Sequence, residues 1–131
     1  MRRRYDDGQS LVEVALVLPI LLIILLGIFD FGRAVFAYNA VSNSAREAVR
    51  VAIVNQSPAT VEAEGKQAAI GLDPDAVAVT SAHDCDRIGC TASVTVSHQW
   101  QAITPIIGSL IGPIELESTT DMPIERVFVS P

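Results

Sequence analysis

The chain predicts an α+β fold: one long N-terminal helix, membrane-spanning in its first half, that runs into a small antiparallel sheet domain. Three observations carry this. Residues 11–29 are apolar apart from Glu13, and are long enough to cross a bilayer as a helix. The helical pattern continues past that run to about residue 54. Three later segments then alternate apolar and polar residues at period two, as half-buried strands do.

The 131 residues, half of them hydrophobic, give room for one small domain and an anchor rather than two domains. The expected division is a basic tip over 1–8, the long helix over 9–54 and the small domain over 55–131. Arg2, Arg3 and Arg4 precede the apolar run, and such residues mark the cytoplasmic side of a membrane helix. Beyond Ile53, three basic residues against ten acidic ones leave −7. A phosphate backbone would be repelled by such a domain, so nucleic acid is not an expected partner. The expectation is an N-terminus inside and an acidic domain outside. A cleaved secretory signal would need a shorter core followed by a small-x-small site. The run leads instead into "DFGRAVFAYNA", so the segment is expected to stay in the mature protein, in contact with membrane lipid.

Within the helix, Phe31, Ala34, Tyr38, Val41, Ala45, Ala48 and Ala52 recur at spacings of three and four. They form a heptad-like stripe, rich in alanine, that another element could approach closely. "NQSP" at 55–58 ends the helix. From residue 10 to 54 it would be about 65 Å long at 1.5 Å per residue, so part of it must project beyond the bilayer. Pro19 removes one backbone bond and is expected to kink the helix.

"SPATVEAEGKQAAIGL" predicts a short second helix, with Ser57 as N-cap, Pro58 at the first helical position and Gly71 near the end. "AVAVTSA" and "TASVTVSHQW" predict a hairpin whose loop, "HDCDRIGC", holds Cys85 and Cys90 at its neck. "PIELESTTDMPIE" gives a third strand, with Ile114 and Leu116 on one face and Glu115 and Glu117 on the other. "ITPIIGSLIGP", apolar but broken by Pro and Gly, is expected to be a loop, packed on the sheet or exposed for contact. The whole predicts a meander of three or four strands on the C-terminal half of the long helix.

Few residues look chemical. His83, Cys85, Cys90 and His98 include no close Cys-x2-Cys pair of the kind zinc sites use. A Cys85–Cys90 disulfide is expected in an oxidising space, and no metal. The pairs Asp73/Asp75 and Asp84/Asp86 lack the ligand count of a calcium loop and are expected as solvated turn acids. The lone Trp100 is expected in the core. No nucleophile–base–acid set and no phosphate-cradling glycine loop occurs, so neither an enzyme nor a cofactor is expected. Glu13 stands out, because a carboxylate inside a membrane helix costs on the order of a few kcal/mol unless paired. It is expected either to guide docking to a partner or to snorkel toward the headgroups.

The stretch "DGQSLVEVALVLPILLIILLGIFDFGRAVFAYNAVSNSAREAVRVA" resembles the N-terminal region of TadE-like pseudopilins, the minor pilins of the tight-adherence, or Flp-type, branch of type IV pilus systems. The resemblance rests on Gly8 followed five residues on by Glu13, the "LVLP" step, the Gly-x-x-x-Phe-Gly-Arg stretch from Gly27, and the "AREAVR" exit. It implies a pilin-like fold, residues 1–8 as a prepilin leader, and cleavage between Gly8 and Gln9 by a prepilin peptidase at the cytoplasmic face. Glu13 would become the fifth mature residue, and the new α-amine on Gln9 could pair with it in the same chain or in a neighbour. Val14 stands where major Flp pilins usually carry an aromatic, and Gln9 where many pilins start on a larger apolar residue. The implied partners are the peptidase, other pilins or minor pilins, and the inner-membrane assembly platform. The implied role is support of pilus assembly for adhesion or export. The alternative is an anchored extracytoplasmic binding module that never enters a filament.

Overall fold

The computed structural model describes residues 3–127, and side chains over 8–127. Met1 and Arg2, part of the basic tip, lie outside the described residues. Helix α1 covers Arg3–Ala52, about 75 Å at 1.5 Å per residue. It therefore begins inside the basic tip rather than after it, and its helical run continues through Pro19. Val49 and Val51 carbonyls accept from Ile53 and Asn55 in the turn that ends it. The Asn55 side chain then accepts from the Ser57 N–H at 3.0 Å. Helix α2, Pro58–Ala68, follows with proline at its start; Ser57 holds the N-cap position but its hydroxyl makes no capping bond.

Gly71, at φ +83°, turns the chain back under the ring of Phe36, where a Cβ would stand 2.7 Å from Cζ. A 3-10 turn at Pro74–Ala76 leads to strand β1, Val77–His83, and then β2, Thr91–Trp100. The two pair antiparallel from Val77↔His98 to His83↔Ala92. Their loop is closed by the Cys85–Cys90 disulfide. Helix α3, Pro105–Ile111, occupies the connection to β3, Ile114–Pro123. β3 pairs antiparallel with β2 from Trp100↔Ile114 to Thr91↔Pro123, completing a meander in the order β1-β2-β3.

The expected loop at "ITPIIGSLIGP" is thus a helix. Thr104 before Pro105 is a start signal, and the Gly112 N–H closes the end on the Gly108 carbonyl at 3.0 Å. The Pro105–Ile111 segment, apolar apart from Ser109, has no amphipathic period to betray it, and its glycine and proline residues read as breakers.

The core lies between the outer half of α1 and one face of the sheet. Val41, Ala45, Ala48, Val49 and Ala52 of α1 meet Ala92, Val94 and Val96 of β2, with Val61 of α2, Val77 of β1 and Ile124. The period-two pattern of β2 delivers this, burying alternate residues from Ala92 to Val96. Each fully buried Val or Ile contributes about 1.5–3 kcal/mol. The exposed pairs Glu47–Arg50 and Glu62–Lys66 are screened by solvent and add little beside that. Segment 124–126 closes the far end: Ile53 O accepts from the Glu125 and Arg126 N–H groups, and Cys90 O accepts from Ile124 N–H.

The inward stripe differs from the expected one at its lower end. Phe31 and Tyr38 are exposed, while Ala37 and Asp30 are buried. At about 100° per residue, Phe31 and Tyr38 stand about 80° and 60° round the axis from Val41, at the rim of the covered face.

Helix α2 crosses α1 closely because small residues meet there. The buried Ser44 hydroxyl donates to the Gly65 carbonyl. A Cβ at Gly65 would stand 2.9 Å from Val79 Cγ2 and 3.3 Å from Ala48 Cβ. Gly65→Val should therefore destabilise the full-length protein by about 1–3 kcal/mol, the usual cost of overpacking. Denaturant unfolding followed by the fluorescence of the single Trp100 measures this; an unchanged midpoint would refute the close crossing.

Candidate functional site

The residues singled out for processing and assembly sit on a helix that nothing in the chain covers. From Gly8 to Leu26 every residue of α1 is exposed. The surface is apolar all round, including Leu11, Leu16, Ile20, Leu21, Ile24 and Leu25. Among the described residues, α1 is the one helix long and apolar enough to cross a membrane. An apolar surface of this extent requires lipid or other helices around it.

Gly8 and Gln9 lie within α1 and are exposed, with no atom within 4 Å of where a Gly8 Cβ would stand. Gln9 and Glu13 are four residues apart, so they share one face of the helix. Glu13 lines a shallow groove of about 310 Å³ with Val14, Val17, Leu18 and Leu21. Among the described residues no ion pair or hydrogen bond engages its carboxylate. Pro19 follows on the same helix; lacking an N–H, it leaves the carbonyl of Ala15 without its helical donor.

At the other end of the apolar run lies a feature that sequence reasoning missed. Asp30 is 4% exposed, the one buried carboxylate among the described residues. Its Oδ1 accepts from the Ile103 N–H at 3.1 Å and its Oδ2 from the Thr104 N–H at 3.0 Å. Arg33, one turn further along α1, holds Oδ1 at 3.4 Å. One carboxylate thus satisfies two main-chain donors at the start of α3 and ties the β2–α3 connection to α1. The available signal was an acid at the first position after the apolar run with arginine three residues on; its partners are more than seventy residues away and left no local trace.

Beside this clamp, a groove of about 500 Å³ opens between α1 and the lower end of the sheet, lined by Phe29, Arg33, Phe36, Leu72, His98 and Trp100 among others. Trp100 is buried as expected, and its Nε1 has no hydrogen-bond partner among the described residues.

The remaining candidates are scattered. His98 Nδ1 is 3.0 Å from the Ala76 carbonyl at one end of the β1–β2 ladder, whereas His83 pairs with Asp86 at 3.0 Å at the other. Asp73 accepts from the Asp75 N–H at 3.0 Å, an ordinary turn role. Cys85 and Cys90 are joined to each other, as expected.

Residues 8–50, nearly the whole of α1, match the family model of TadE-like proteins. No curated protein and no solved structure matches the chain. The matched stretch includes Gly8, Gln9, Glu13, Pro19 and Asp30, and stops short of α2 and the sheet.

If Asp30 anchors the connection, Asp30→Ala leaves two amides without acceptors. Hydrogen exchange at Ile103 and Thr104 should then quicken several-fold in the full-length protein, while amides of β2 within the core keep their protection. Unchanged exchange at those two amides would show that the carboxylate does not hold them.

Proposed function

We propose that this chain, TadE-like over residues 8–50, is a membrane-anchored pseudopilin that supports assembly of a tight-adherence type IV pilus, with a structural rather than a catalytic role. The observation that carries the reading is the uncovered apolar helix from Gly8 to Leu26, with Glu13 exposed on it one turn past Gln9. A helix of that surface is suited first to lipid and then to the flanks of other helices, which is the exchange a pilin subunit undergoes on entering a filament. Two further points support it: the family match begins at Gly8, and an acidic domain follows a basic tip. On this reading the tip is cytoplasmic and the sheet domain extracytoplasmic, where the disulfide is stable.

The chain inserts with residues 11–29 in the inner membrane. A prepilin peptidase hydrolyses the Gly8–Gln9 bond, releasing the basic leader and leaving an α-amine on Gln9. That amine, positive at neutral pH, sits near the depth of Glu13 carboxylates on adjacent subunits. Pairing removes the cost of an isolated charge in the apolar phase and sets the axial register of one subunit on the next.

N-terminal sequencing of the mature protein tests the processing step. The expected start is Gln9, lost when the peptidase is deleted; an intact Met1 or Arg2 start favours an anchored binding module outside any filament. Glu13→Gln tests the pairing step. Membrane insertion should persist while co-purification with other pilins falls, and unchanged co-purification together with normal piliation would defeat the assignment.

A further inference from the structure

Helix α3 and its flanks are unlike the rest of the sheet domain. Residues 101–114 contain no charged side chain. Ile103, Ile106, Leu110 and Ile111 are 71%, 54%, 86% and 56% exposed. A soluble surface would be unusual with four large aliphatic residues together in one nine-residue stretch.

The position of the segment explains this. Ile107 Cδ1 stands 3.4 Å from where a Cβ on Gly27 would be, so α3 is seated against the last turns of the apolar run of α1. Asp30 holds the main chain just before α3 by two hydrogen bonds. Leu26 and Phe29 of α1 face Ile103, Thr104 and Pro105 across a gap of about 240 Å³. Phe29 and Phe31 are exposed at the same level of α1, where aromatic side chains gather at a membrane surface. The first charges beyond the apolar run, Asp30 and Arg33, lie there too.

We propose that α3 lies in the headgroup–acyl boundary of the membrane that α1 crosses, burying Ile103, Ile106, Leu110 and Ile111 in lipid as a second, interfacial anchor. The inference rests on the reading of α1 as a membrane span. Lipid is the favoured occupant because the apolar surface of α3 is continuous with that of the span and is clamped at its depth. A short uncharged helix of this kind inserts shallowly, leaving its free end groups at headgroup level, with the main chain before it held to α1 by Asp30.

The test places a nitroxide at Leu110→Cys or, separately, Ile106→Cys in the full-length chain, with the native disulfide left oxidised. Leu18→Cys marks the span and Glu117→Cys the exposed sheet. The protein is reconstituted in vesicles of phosphatidylethanolamine and phosphatidylglycerol, and accessibility to oxygen and to a water-soluble nickel chelate is compared. The expected result is an oxygen-to-nickel ratio at positions 110 and 106 several-fold above that at 117, with position 18 deeper still. A lipid signal at 18 with a water signal at 110 and 106 would overturn the interfacial anchor and leave the span intact. Low access to both reagents at 110 and 106 would overturn it in favour of a second copy covering α3. A water signal at 18 would overturn the span, and the inference with it.

Discussion

Between Phe29 and Ala37 a single unbroken helix changes its surroundings. Below this stretch α1 is apolar on every side and touches little of its own chain; above it, α1 is buried along one face and polar on the other. An α-helix can make that change without interruption because its backbone hydrogen bonds are internal and indifferent to what surrounds the side chains. The side chains alone must switch, and the switch needs a boundary. Asp30 supplies it. A carboxylate at that position could not remain bare beside lipid, and it is satisfied by the Ile103 and Thr104 amides and by Arg33. The same bonds give acceptors to the two main-chain amides that lead into α3. The domain's lower edge is therefore fixed by mutual need.

Above that boundary the fold depends on small residues. Ser44, Ala45, Ala48 and Ala52 on α1 and Gly65 on α2 let backbones approach where larger side chains would hold them apart. The sheet then seals the remaining face with valines spaced by two. Ile124, buried on irregular backbone after β3, completes the core only because its amide and the two that follow are bonded to Cys90 and Ile53. Edge strand β3 keeps Glu115, Glu117 and Asp121 exposed, which discourages pairing with a further strand.

The parts legible in the sequence were those with a local period. The apolar run, the strands from Val77 to His83 and from Thr91 to Trp100, and the helix at Pro58–Ala68 each announce themselves within about ten residues. The disulfide was legible for the same reason: its cysteines face each other across the neck of a short hairpin. The stripe on α1 was legible above Val41, where the sheet covers it, but Phe31 and Tyr38 share its spacing without its cover. No local rule says where a sheet will end. Helix α3 and Asp30 were hidden for a related reason. Each makes sense only beside the other, across a separation of more than seventy residues, and α3 lacks the polar face by which short helices are recognised. Of the candidate site, Gly8, Gln9 and Glu13 were legible as a motif, while the groove at Trp100 and Arg33 forms only when the lower sheet meets α1.

The continuity of α1 has a mechanical consequence. Most anchored domains hang from a linker and reorient freely; here the helix long and apolar enough to cross a bilayer is the rod on which the sheet is built. From residue 29 to its end at Ala52, α1 extends about 35 Å at 1.5 Å per residue. A tilt of about 20°, ordinary for a membrane helix, would carry the far end about 12 Å sideways. The helix is a lever arm: in a membrane, whatever set its inclination would also aim the disulfide hairpin at its tip.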